Sequence, residues 1–156
     1  MPELQTVYVP IGLGSGICAA AAVRNALGSS AEIVGVVSAH AKAYALSFSS
    51  HKPMAAEVTT RLADGMAVRT PDAGALELIV KNVDRIVEVT DDEVAQAIAI
   101  LFQCTHNCAE GAGAAAFAAM RKERSRLAGR KVAAVLSGGN IDREMFASAL
   151  ARHESR

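Results

Sequence analysis

Apolar positions along this chain gather into short runs separated by longer segments of helical character. The runs at Thr6–Pro10, Glu32–Val37 (EIVGVV), Arg85–Val89 (RIVEV) and Lys131–Leu136 (KVAAVL) have the length of buried strands. Between them, the alanine-rich stretch Ser15–Leu27 predicts a helix stopped by Gly28. His40–Phe48 predicts a second helix, anchored by Tyr44, Leu46 and Phe48 and ended by Pro53, and Ala73–Val80 a short third one. In the intervening VTTRLADGMAVRTP, Gly65 and Pro71 predict irregular backbone. Thr90 and Glu93 have the spacing of a capping box, opening a helix with Val94, Ala97, Ile98 and Leu101 on one face. Glu110–Lys122 and Asp142–Arg152 complete the helices. Strands alternating with helices define an α/β chain, an open parallel sheet flanked by helices, forming one domain over residues 1–156.

Composition narrows the possible partners. Sixteen basic residues balance sixteen acidic ones, so no net field favours nucleic acid or an anionic membrane. No apolar run approaches the roughly 18–20 residues that span a bilayer, and MPELQT has no hydrophobic leader segment. Cys18, Cys104 and Cys108 are odd in number and cannot form a complete disulfide framework, so a reduced, cytoplasmic protein is expected.

The candidate chemistry lies in VYVPIGLGSGICAAAAV, a strand, a glycine cluster and a helix start. Free amides and the positive end of a helix dipole favour an anion at such a place, and glycines let a phosphate approach the backbone. A P-loop would follow its last glycine with Lys and Ser/Thr, but Gly16 is followed by Ile17. Gly14, Gly16 and Ala19 fit a dinucleotide fingerprint, yet the next strand ends in Val36, Val37 and Ser38 without a carboxylate for a ribose. A glycine turn with no ligand is the bland alternative. A second cluster, Leu136-Ser137-Gly138-Gly139-Asn140, also ends a strand and precedes a helix, where it can face the same crevice.

In order, VPIGLGSG, TTRLADGMAV, AEGAGAAA and VLSGGN resemble the pyridoxal-phosphate-dependent threonine and serine dehydratases, of tryptophan synthase β-like fold (fold type II). The resemblance runs from about Val7 to the last helix and matches only the later part of such an enzyme, an incomplete large domain. It implies that Gly12, Leu13, Gly14, Ser15 and Gly16 wrap the phosphate of pyridoxal 5'-phosphate. It also implies that Ser137 hydrogen-bonds the pyridine nitrogen, leaving it neutral, and that Glu110 lines the cleft beside the ring. Asp64 fits a second position at that cleft, with a turn-stabilising role as the alternative reading. The implied activity is β-elimination from threonine or serine to ammonia and a 2-oxo acid.

The resemblance also marks departures. The family's Schiff-base lysine lies in a Ser-x-Lys-x-Arg-Gly-like segment, and none of Lys42, Lys52, Lys81, Lys122 and Lys131 has that context. Lys131 precedes Ser137 by six residues, about 20 Å along a strand, at the wrong end of the sheet. The expectation is therefore a C-terminal half of such an enzyme, with a non-catalytic binding remnant, or one part of a split enzyme completed by a lysine-bearing partner chain, as the alternatives; the absent small domain would leave apolar surface that invites association into a homo-oligomer. Val37 stands where the family often has a metal-binding glutamate after Gly-Val, so a cation is not expected there. The chain stops soon after its closing helix, where the feedback-regulated relatives continue into a regulatory domain. Cys104-Thr-His106-Asn-Cys108 reads as a helix terminus rather than a zinc site, and RKERSRLAGRK (Arg121–Lys131) as a solvated connection rather than a nucleic-acid patch.

Overall fold

The computed structural model describes residues 3–154, and in it the short apolar runs form a single four-stranded sheet. Its strands are β1 (Thr6–Pro10), β2 (Glu32–Ser38), β3 (Arg85–Val89) and β4 (Val132–Ala134), in the order β3-β2-β1-β4, every pairing parallel. The helices are α1 (Ser15–Ala26), α2 (Ala43–Ser50), α3 (Ala73–Asn82), α4 (Asp91–Thr105), α5 (Gly111–Lys122) and α6 (Arg143–Glu154).

Period-two alternation divides the core between two faces. Val9, Ile33 and Val37 pack with Ile17 of α1, Tyr44 of α2, and Leu76 and Ile79 of α3. Tyr8, Val34 and Val36 point the other way, into α4, α5 and α6 through Val94, Ile98, Ala115 and Ala149. The central strand β2 is buried from Ile33 to Ser38, as a parallel strand covered on both sides should be.

Helix ends follow the local signals. Gly28, at φ 60°, closes α1 in a Schellman arrangement: its amide donates to the Asn25 carbonyl and the Ser29 amide to the Arg24 carbonyl. Both halves of the Thr90–Glu93 capping box form. Two elements differ from expectation. Helix α2 begins at Ala43 rather than His40, because Ala41 makes an isolated bridge to Val58 and the His40 carbonyl accepts from Thr59. Leu46 is exposed rather than an anchor; Ser47 is buried in its place, exchanging hydrogen bonds with the Met54 backbone.

Strand β4 is the second difference, stopping at Ala134 instead of Leu136. The cause lies on its neighbour. The Val135 amide donates to the Tyr8 carbonyl, and the next ladder bond on that side would need an amide from Pro10, which has none. Beyond Val135 the two strands part.

At the N-terminal end of the sheet, polar groups pair densely. The Arg85 guanidinium donates to both Glu123 oxygens at 2.8 and 2.7 Å and to Glu32 at 2.8 Å, while the buried Tyr8 hydroxyl donates to Glu123 at 2.6 Å. Burial alone would lower the Arg85 pKa, but hydrogen bonds to Tyr8, Glu32 and Glu123 overrule it and hold that pKa above its ordinary value. Burial likewise opposes ionisation of Glu123, yet bonds from Tyr8 and Arg85 bring its pKa below the usual glutamate value. Burial, reinforced by Glu123, pushes the Tyr8 phenol up. Most of the basic run from Arg121 is spent in pairs as well: Arg126 with Glu123, Arg130 with Glu32 and Lys131 with Glu3 at this end, and Lys122 with Glu93 at the start of α4.

Candidate functional site

Adjacent parallel strands carry both glycine clusters to one end of the sheet, the C-terminal end, where open α/β sheets hold ligands. Gly14 adopts φ 100° and serves as N-cap of α1 without any side-chain cap. The first intrahelical bond is from Cys18 to the Gly14 carbonyl, so the amides of Ser15, Gly16 and Ile17 precede the helix ladder. Ser15 and Gly16 are exposed, and no acidic residue occupies the first turn. The result is an anion-receptive helix start.

A buried tyrosine sets the shape of this loop. The Tyr44 hydroxyl donates to the Leu13 carbonyl at 2.7 Å and accepts from the Asp72 amide at 3.2 Å. Burial keeps its pKa above the ordinary phenol value, so it stays protonated as a donor. Burial does the same to the neighbouring Cys18 thiol, with the Asp72 carboxylate adding to it. A Cβ on Gly14 would fall 2.7 Å from the Ala75 side chain and 3.1 Å from the Tyr44 hydroxyl, so the left-handed turn and its close packing both call for glycine.

The second cluster is tied to the first through Glu110. Glu110 is the N-cap of α5, yet its carboxylate does not cap that helix; it accepts from the Asn140 amide at 3.1 Å, while its own amide donates to the Gly138 carbonyl at 3.1 Å. Gly138 lies so close that a Cβ there would sit 2.4 Å from the Glu110 carboxylate. On the other side, Gly65 packs against Ala112 and Glu110, and a Cβ on Gly12 would meet the Gly65 carbonyl at 2.5 Å. Gly12, Gly65, Glu110 and Gly138 therefore form one chain of contacts from the first loop to the second.

Beside that chain opens a cleft of about 540 Å³ lined by Arg61, Asp64, Glu110, Asn140 and Asp142 among others. Asp64 and Glu110 are thus brought together. The Asp64 carboxylate, at the start of a 3-10 turn (Asp64–Met66), makes no hydrogen bond among the described residues, so it is not spent on the turn. Residues 12–16 and Ser137 are not among the cleft walls; Ser137 is exposed just past β4, next to Gly138. Among the described residues no lysine lines the cleft: Lys42 pairs with Glu88, Lys122 with Glu93 and Lys131 with Glu3. His106, at φ 57°, is the left-handed cap ending α4, so the Cys104–Cys108 segment is a helix terminus. Sequence reasoning missed the Tyr44 hydroxyl, for which the only signal was a polar atom on an otherwise apolar position, and Arg61 in the cleft wall.

Comparison with known proteins identifies the family and the fold. Residues 1–138 match a family described as pyridoxal-phosphate dependent enzyme. An L-threonine ammonia-lyase of Thermotoga maritima is 34% identical over 146 residues, which are 94% of this chain and 36% of that protein. One from Geobacter sulfurreducens is 37% identical over 142 residues, 91% of this chain and 35% of that protein. The processed threonine deaminase isoform 2 of Solanum lycopersicum superposes with a TM-score of 0.90 at 22% identity, covering 97% of this chain and 45% of that one. The chain thus spans little more than a third of the length of these two curated relatives.

Proposed function

This chain belongs to the pyridoxal-phosphate dependent enzyme family, and we propose that it supplies the phosphate-holding and ring-holding side of a threonine or serine ammonia-lyase site. The observation that carries this reading is the convergence of two glycine turns, from adjacent parallel strands, joined through Gly65 and Glu110. The residues fit the cofactor. The uncapped start of α1 offers amides to a phosphate dianion, and no atom outside its own turn crowds Gly16 within 4 Å. Ser137 presents a hydroxyl beyond β4, suited to a pyridine nitrogen.

When bound, pyridoxal phosphate supplies an electron sink that acidifies the substrate α-carbon. The chain's own residues position and polarise. Amides of Gly12–Gly16 and the α1 dipole would hold the phosphate. The Ser137 hydroxyl would donate a hydrogen bond to the ring nitrogen and, as a weak acid that keeps its proton, would leave that nitrogen neutral. Glu110, its carboxylate fixed by the Asn140 amide, keeps a negative wall along the cleft, and the unspent Asp64 carboxylate faces the same space. Removal of the α-proton needs a lysine, which this reading assigns to a segment outside these 156 residues, in the same polypeptide or in a partner. The completed enzyme would release ammonia and a 2-oxo acid, 2-oxobutanoate from threonine. Homology to threonine ammonia-lyases supports that substrate class, and an uneven set of three unpaired cysteines supports a reducing cytoplasm as its setting.

Titration of the purified chain with pyridoxal phosphate, followed by absorbance, tests the cofactor assignment. Saturable binding is expected; Gly14→Val should abolish it, and Ser137→Ala should weaken it by about five- to tenfold, the value of one hydrogen bond. Equal binding by wild type and Gly14→Val would refute the phosphate assignment.

A further inference from the structure

We infer that a hollow between α4 and α5 binds a compact tetrahedral oxyanion of the orthophosphate class. The inference stands apart from the cofactor reading above, because the hollow lies at the opposite end of α5 from Glu110. Helix spacing builds it. Ala118, Arg121 and Lys122 stand at i, i+3 and i+4 on α5, and Glu93 and Gln96 at i and i+3 on α4, so each set shares one helix face. The two helices pack together, and between them these residues line a space of about 120 Å³, in which Ala118 is small and buried. Arg124, which opens the 3-10 turn Arg124–Arg126 just after α5, completes the walls.

The one carboxylate among these walls is already neutralised. Glu93 accepts from the Thr90 amide at 2.8 Å and pairs with the Lys122 ammonium at 3.1 Å, while Lys122 also donates to the Glu88 carbonyl. Arg121 and Arg124 are what the basic run leaves over: neither guanidinium has a hydrogen-bond or ion-pair partner among the described residues. Arg121 is half-buried rather than extended into solvent, and so is Gln96, whose amide is likewise unpartnered. The C-terminal dipole of α5 accounts for positive charge in its last turn. It does not account for a guanidinium held half-buried without a counter-ion, a costly arrangement that an anion would relieve.

The lining chooses the ligand. Two guanidiniums and a side-chain amide offer N–H donors to one small space, and the guanidinium fork matches phosphate oxygens in pairs. A space of about 120 Å³ admits one phosphate group, and no aromatic side chain lines it to stack a base. The occupant is therefore free phosphate, or a small phosphomonoester that leaves its ester group in solvent, rather than a nucleotide seated by its base. Bound there, it joins α4, α5 and the 3-10 turn, and mass action raises the unfolding midpoint.

The test is a titration of the purified chain with inorganic phosphate at constant ionic strength, followed by NMR of arginine Nε–H and side-chain amide signals. Arg121 and Gln96 should shift together along one saturable curve, and the unfolding midpoint should rise with phosphate. Arg121→Gln combined with Arg124→Gln should weaken binding about tenfold or more, the loss of charge-assisted hydrogen bonds. The midpoint without phosphate should not move, because neither guanidinium has a partner to lose. If the double variant unfolds, Arg121→Lys, which keeps the charge and loses the fork, should still bind more weakly with the fold intact. Glycerol phosphate and free phosphate distinguish the sources: tighter binding of the first supports an ester, tighter binding of the second the free anion. Adenosine monophosphate binding more than about tenfold tighter than either would overturn the compact-anion assignment. An equal response to chloride, or none at Arg121, would overturn the site. A shift confined to the Ser15 and Gly16 amides would do the same while leaving the cofactor reading standing.

Discussion

The two ends of the sheet are built on opposite plans. At the N-terminal end, side chains from β1, β2, β3 and the end of α5 satisfy one another: Tyr8, Glu32, Arg85 and Glu123 share a half-buried network, with Arg126 and Arg130 at its rim. At the C-terminal end, the helix start of α1 is uncapped, the Asp64 carboxylate is unspent and Ser137 is exposed. The first end uses its polar groups to hold the molecule together. The second keeps donors and acceptors free and is held in shape by backbone contacts between glycines and by one buried tyrosine. Stability and ligand binding should therefore respond to different residues.

The strongest way to break the comparison is Arg85→Ala. Removing one member of a half-buried charge network leaves Glu32 and Glu123 without their main cation, so urea unfolding should show a loss of about 2–3 kcal/mol. Pyridoxal phosphate affinity in the same variant should stay within about twofold, under half a kcal/mol. A large fall in affinity would show that the ends are coupled. A smaller effect is expected from Tyr44→Phe, which leaves the Leu13 carbonyl and Asp72 amide short of a partner. Because the loop itself is loosened, cofactor affinity should drop about fivefold, near 1 kcal/mol, with a similar loss in stability. The smallest effect sharpens the contrast by pH. The Glu123 pKa lies below the ordinary value of 4.5, so its contribution is present above that value and lost as pH falls through the native pKa. The urea midpoint should therefore decline below about pH 4, and Glu123→Gln should flatten part of that decline.

Local signals made much of this structure readable from sequence. The β1–loop–α1 unit, the Schellman stop at Gly28, the capping box at Thr90 and the small residues of α5 each state their conformation within a few positions. The convergence of the two glycine turns was legible because a parallel sheet gives every strand the same end. What stayed hidden depends on distant partners. The start of α2 is decided by Val58 and Thr59, and the burial of Ser47 rather than Leu46 by the Met54 backbone. The Arg85 network joins residues 8, 32, 85 and 123, which no spacing rule connects. The loop-bracing role of Tyr44 also needed the fold, because the tyrosine lies 31 residues from the carbonyl it holds.

Pro10 shows how little chemistry a crevice needs. A pyrrolidine ring on β1 withholds a single proton from β4, and the sheet unzips there instead of two residues later. The position of Ser137 thus follows from Pro10 on one side and, on the other, from the Glu110 amide that holds the Gly138 carbonyl. With valine at position 10, the seam would run on to Leu136, and the serine would be drawn in toward the ladder. The gap between these strands opens where one bond cannot form.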